Sequence, residues 1–151
     1  MSAPALVDAN VLVAAVAAEH EHHSPSLNFA ALMHRVRFAV AAHSFAEAYD
    51  TLTRDGKNGP FQFPPDEALA VLEDLRSRVD LLGSTPLQTF DGIRRYALGG
   101  GIGPRLYDKL IGDIAVLHGI TSIVTWNLKH MGGLFASVAV QTPTEFMASN
   151  R

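Results

Sequence analysis

The chain contains no cysteine, which excludes a disulfide framework and any metal site built on thiolates. It is also short of charge. Asp, Glu, Lys and Arg make up 18% of its 151 residues, and the formal net charge is −3. Such a balance does not favour broad, nonspecific binding of nucleic acid. Contact with phosphate needs a local basic groove, a partner subunit or metal ions. No apolar run approaches the roughly 20 residues of a membrane span, so no membrane role is expected. The first residues lack a basic segment followed by a long apolar stretch and a cleavage site. Secretion is therefore not indicated, and the cytoplasm is the expected compartment.

What is present suits one folded unit. The hydrophobic content is 48%, and the length allows a real core without a second domain, so residues 1–151 are read as one domain. Ala5–Val7 reads as a short buried strand, and Ala9–Ala18 as an Ala-rich helix starting directly after Asp8. A polar break, EHEHHSP over 19–25, follows; Ser24 is expected to cap a helix that Pro25 begins and that runs over Leu27–Arg35. Arg37–Ala42 reads as a strand, with His43 and Ser44 opening a helix to about Arg54. A Gly/Pro-rich loop over 55–65 separates it from an amphipathic helix, Pro65–Arg78, with apolar Leu69, Leu72 and Leu75. Val79–Leu82 is a strand and Thr85-Pro86 opens a helix to about Leu98. The run GGGIGP over 99–104 lacks the Lys-Ser/Thr that closes a phosphate loop and reads as a flexible connector. A helix over Arg105–His118 stops at Gly119, Ile120–Thr125 is a strand, and Asn127–Met131 a short helix or turn. Val138–Val140 is the last strand, and Thr142-Pro143 caps a terminal helix. Strands alternating with helices predict an α/β three-layer sandwich with a mostly parallel central sheet.

Three acids stand out against this pattern. Asp8 ends an apolar strand, Glu47 lies within SFAEAYDTL over 44–52, and Asp108 within LYDKLIGDIA over 106–115. An acid set among apolar residues is costly unless a cation or hydrogen bonds satisfy it. If the fold joins the three, their charges repel, and a hard divalent ion is the natural partner. Parallel sheets gather ligands at the carboxyl ends of their strands, where Asp8 and the Thr125–Asn127 turn both fall. The expected layout is that of a metal-dependent phosphodiesterase.

The ordered set of these segments resembles the PIN-domain family, most closely the VapC-type toxins of bacterial toxin–antitoxin pairs. It comprises VDANVL at 7–12, FAEAY at 45–49, TLTR at 51–54, PDEAL at 65–69 and GIGPRLYDKLIG at 101–112. It continues through HG at 118–119, TWNLKHM at 125–131 and TP at 142–143. The resemblance covers nearly the whole chain and implies endonucleolytic hydrolysis of RNA. It implies Mg²⁺, or Mn²⁺, held by Asp8, Glu47 and Asp108, with Asn127 and Thr125 orienting water or phosphate. It further implies a cognate antitoxin, a homodimer, and tRNA or ribosomal RNA as substrate. Asn127 stands where many relatives carry Asp, and Met131 where an aromatic residue is usual.

Each acid also has a plainer reading: Asp8 as a helix N-cap, Glu47 as a solvated helix position, Asp108 as a dipole-favoured first-turn acid. Asp113 lies five residues beyond Asp108, about 140° round a helix, so exposure or a salt bridge is expected there. His20, His22 and His23 have no spaced carboxylate frame and read as a surface or RNA-facing loop, not a zinc site. Arg94, Arg95, Arg105, Lys109, Lys129 and His130 are candidate phosphate contacts, and Trp126 a candidate base-stacking ring. Two other functions compete with this one: a PIN module that only binds RNA or protein, and an aspartate-nucleophile phosphatase. The latter wants an acid two residues after Asp8, where Asn10 stands.

Overall fold

The computed structural model describes residues 3–131, apart from the side chain of His130, and residues 136–150. Its sheet holds β1 (Ala5–Val7), β2 (Phe38–Ala41), β3 (Asp80–Leu82), β4 (Ser122–Val124) and β5 (Ala139–Gln141), in the order β3-β2-β1-β4-β5. Every pairing is parallel, with Leu6 opposite both Ala39 and Ile123. The helices are α1 (Ala9–Val16), α2 (His23–Ala30), α3 (Ala42–Thr53), α4 (Pro65–Arg76) and α5 (Pro86–Leu98). They continue with α6 (Arg105–Leu117), α7 (Leu128–Met131) and α8 (Pro143–Ser149). The expected α/β three-layer sandwich is the observed one.

The layers follow from strand alternation. Successive side chains of a strand point to opposite faces. Ala5, Val7, Phe38, Val40 and Val124 join one core with residues of α1, α2, α3, α4 and α8. Leu6, Ala39, Ala41 and Ile123 join another with Ile111, Ile114 and Ala115 of α6. Strands buried on both faces read as unbroken apolar runs, which is why ALV and FAVA show no polar alternation.

Local chemistry sets most helix ends. Three helices open with proline at the first position (Pro65, Pro86, Pro143), where its missing N–H is no loss. Thr85 with Gln88, and Thr142 with Glu145, form capping boxes. Gly119 follows α6 with φ +68°, a backbone conformation that favours glycine.

Several expectations are corrected. The second helix begins at His23, after His22, so Ser24 does not cap it and Pro25 lies in its first turn, where no intrahelical N–H is needed. It ends at Ala30 and tightens into a 3₁₀ turn over Ala31–His34. In α4 the buried stripe is Ala68, Leu72 and Leu75, spaced i, i+4, i+7, while Leu69 remains 53% exposed. The glycine run is a fitted turn and not a loose connector. A Cβ on Gly101 would lie 2.5 Å from the Tyr96 ring, and Tyr96 donates its hydroxyl to the Ile102 carbonyl over 2.8 Å.

Candidate metal and phosphate site

The order β3-β2-β1-β4-β5 means the chain builds outward on one side of β1, then returns to the other. The gap above β1 and β4 is therefore the topological switch point, where such sheets bind ligands. Asp8 follows β1 and Thr125 follows β4, so strand pairing alone brings two residues distant in sequence side by side.

Asp8 is 5% exposed and caps α1, its Oδ1 accepting the Ala9 N–H over 2.8 Å. The carboxylate that caps α1 thus also lines the cavity described below. Its Oδ2 accepts the Thr125 hydroxyl over 2.9 Å and the Asn10 side-chain amide over 3.4 Å. Burial raises its pKa above the ordinary value, the Thr125 and Ala9 bonds oppose that shift, and nearby Asp108 adds to it.

Thr125 is fully buried. Its oxygen accepts the Asn10 amide and the Asn127 backbone N–H, each over 3.0 Å, while its hydrogen goes to Asp8. One hydroxyl has one donor and two acceptor sites, so Thr125 is saturated. It holds the acid in place and leaves nothing to offer a phosphate. Asn10 closes the network by accepting the Trp126 backbone N–H over 3.0 Å. Sequence reasoning used Asn10 only to argue against a phosphatase. Its position two residues after Asp8, on the first turn of a helix leaving the site, was the available signal.

Asp8, Asn10, His20, Glu47, Asp108 and Asn127 line one cavity of about 230 Å³. The three sequence-selected acids thus converge. Glu47 Oε1 is buried without a hydrogen-bond partner; His43 Nε2 is 3.7 Å away, too long for a bond. Burial first, then the charges of Asp8 and Asp108, push the Glu47 carboxyl up from its usual 4.5 to about 7. Burial also lowers the pKa of His43, so that ring does not supply a countercharge near neutrality.

An unpartnered buried carboxylate oxygen beside two like charges is an environment that suits a cation. Among the described residues no group of three His, Asp or Glu side chains stands ready to hold an ion unaided. That does not conflict with magnesium, which keeps several waters and takes only one or two carboxylates directly.

The other candidates do not line this cavity. Asp113 turns from the cavity to pair with Lys109 at 2.5 Å and Arg95 at 3.6 Å, the expected salt bridge. Arg95 also binds Asp91 at 3.0 Å, and Arg94 lies 3.9 Å from the same acid. Lys109, Arg94 and Arg95 are thereby tied to acids of α5 and α6, whereas Arg105 and Lys129 are exposed. Trp126 packs: His22 stacks on it at 4.1 Å and 9°, and its indole N–H donates to Ser26 Oγ over 2.8 Å. Met131 is fully buried in the α6 core.

No family model matches the chain, and no curated protein matches it. Solved structures do. VapC20 of Mycobacterium tuberculosis, described as a sarcin-ricin loop cleaving toxin, is 14% identical. It covers 88% of this chain and 97% of its own, with a TM-score of 0.67. DNA-bound VapBC from Salmonella typhimurium is 20% identical over 94% and 99%, with a TM-score of 0.64. VapBC2 from Rickettsia felis, bound to a promoter DNA fragment, is 16% identical over 93% and 98%, at 0.63. Likeness at these identities is a likeness of fold, and the chain has the PIN-like fold of the VapC toxins.

Proposed function

We propose that this protein is a Mg²⁺-dependent endoribonuclease, Mn²⁺ being an alternative ion, and the toxin of a toxin–antitoxin pair. The observation that carries this reading is the convergence of Asp8, Glu47 and Asp108 in one cavity at the switch point of the sheet. The fold shared with VapC toxins, one of them described as cleaving the sarcin-ricin loop, supports RNA as the substrate class. Neighbours described as VapBC complexes support a cognate antitoxin as partner. A homodimer and action in the cytoplasm on tRNA or ribosomal RNA complete the proposal. No helix among the described residues is long and apolar enough to cross a membrane.

In this reading Asp8 and Asp108 hold the ion together with water. The bound ion would supply Lewis-acid activation of that water and offset charge on the phosphate. Glu47 holds the attacking water and takes its proton, a general-base role open to a carboxylate on the cavity wall. Asn127, on the cavity wall, orients water or phosphate through its side-chain amide. Thr125 and Asn10 act through Asp8 as positioning residues.

The test is incubation of the purified, antitoxin-free protein with total tRNA and ribosomal RNA in Mg²⁺, Mn²⁺ or EDTA, beside Asp8→Asn. Discrete fragments that require the metal and vanish in the variant are expected. Folded protein that cleaves nothing with either metal would favour a module that only binds.

A further inference from the structure

The histidine-rich break between α1 and α2 is not absorbed by the acid site, yet one of its rings lines the same cavity. His20 shares that wall with Asp8, Glu47 and Asp108, and Phe61 stands beside it with the two rings 5.9 Å apart at 15°. His20 Nδ1 accepts the backbone N–H of His22 over 3.0 Å. A ring nitrogen that accepts a hydrogen bond carries no hydrogen, so the neutral imidazole must carry its proton on Nε2. Nε2 has no hydrogen-bond partner among the described residues and is not one of the buried unpartnered atoms.

The rest of the break holds this ring. His22 is pinned by its stack on Trp126, at 4.1 Å and 9°. Trp126 is anchored by Ser26 through its indole and by Asn10 through its backbone. Asn10 in turn bonds Asp8 and Thr125. His23 ties the start of α2 to α1, its Nδ1 lying 2.8 Å from the Ala14 carbonyl. The orientation of His20 is thus linked through a chain of side chains to the carboxylate at the floor of the cavity.

We infer that His20 is a substrate-contacting residue, its Nε2–H donating a hydrogen bond to a phosphate oxygen of RNA held in the acid cavity, and that it is not a metal ligand. This rests on the nuclease reading for its substrate. The exclusion of metal ligation rests on geometry: Nδ1 is committed as an acceptor, and Nε2 keeps its proton. A cavity lined by Asp8, Glu47 and Asp108 presents mainly acceptors, and a phosphate oxygen needs donors. A neutral donor there does not compete with those acids for the cation. Burial chiefly, then the neighbouring His22, lowers the His20 pKa, which agrees with a neutral ring.

Three measurements on the wild type, His20→Ala and His20→Gln test this. They are Mn²⁺ affinity by calorimetry, kcat and KM for cleavage of tRNA and ribosomal RNA, and the ring ¹⁵N shifts of His20. His20→Ala is expected to lower kcat/KM about ten- to a hundredfold, the range for a hydrogen bond to a charged group, with Mn²⁺ affinity unchanged. His20→Gln, which keeps a donor near the same place, should recover part of that loss. The wild-type shifts should show the Nε2–H tautomer. Loss of Mn²⁺ affinity in His20→Ala, or kcat/KM unchanged in it, would overturn the assignment. Should the wild type bind the metal yet cleave no RNA, the nuclease reading fails separately. The donor role is then decided by titrating inorganic phosphate with Mg²⁺ present: a shift of the His20 Nε2–H signal sustains it, and an unmoved signal refutes it.

Discussion

Thr125 donates its hydroxyl to Oδ2 of Asp8 over 2.9 Å, across 117 positions of sequence. That bond joins the ends of two neighbouring parallel strands and is wholly buried. It sets the orientation of the carboxylate before any ligand arrives, and its removal separates positioning from chemistry.

Thr125→Val keeps the shape and deletes the hydroxyl. Asp8 loses one donor, and the Asn10 amide and the Asn127 N–H lose their acceptor. Buried groups left unsatisfied cost about 1–3 kcal/mol, so urea unfolding should show a loss of that order. Thr125→Ser should retain most of the stability. A Val variant as stable as wild type would show the network to be unimportant.

Asp8→Asn should separate stability from activity. Burial raises the Asp8 pKa, so at neutral pH the folded chain is destabilised by holding this carboxylate charged. A neutral amide removes that burden and can still accept the Ala9 N–H with its oxygen, but its NH2 cannot accept from Thr125 and Asn10 as Oδ2 does. Thermal melts without metal should show a folded variant with a cooperative transition, while RNA cleavage disappears. Retained cleavage would remove Asp8 from the proposed site.

Glu47 predicts a pH dependence of definite sign. Its carboxyl titrates at about 7 in the folded chain instead of the usual 4.5, so the folded state binds a proton that the unfolded state gives up between those values. The stabilisation is complete below 4.5 and is lost as pH rises through 7. Metal-free protein should therefore lose stability over that window, and Glu47→Gln should flatten the loss. Mg²⁺ at slightly alkaline pH should restore stability to the wild type, since a ligand that binds only the folded state stabilises it. Parallel pH profiles of Tm for the two proteins would contradict this account.

The turn after α5 can be probed through Gly101. A Cβ there meets three carbons of the Tyr96 ring at 2.5–2.6 Å, and the ring is held by its bond to Ile102. Gly101→Ala should be destabilising by about 1–3 kcal/mol, the usual range for overpacking. Pairing it with Tyr96→Ala should relieve the clash, which a double-mutant cycle of unfolding free energies would detect.

Much of this molecule was legible from residue order. The apolar runs ALV and FAVA mark β1 and β2, and Thr85, Thr142, Gly119 and the N1 prolines mark helix ends by local chemistry. Asp8, Glu47 and Asp108 could be singled out because charge within an apolar segment needs an explanation. The partners that Asn10 and Thr125 take could not be read in that way. A hydroxyl and an amide look alike whether they face substrate or each other, and only their positions decide which. The same holds for the histidine break. Its composition indicated a surface or RNA-facing loop; stacking on Trp126 and Phe61 places the rings, and a single backbone hydrogen bond fixes which nitrogen of His20 carries the proton. The amino-acid sequence by itself determined the alternation of strands and helices and the charge of the site, because propensity, capping and hydrophobic pattern act over a few residues. Tertiary structure alone decided that β1 and β4 are neighbours, and therefore that Thr125 donates a hydrogen bond to Asp8, because strand order is settled by packing between segments far apart in the chain.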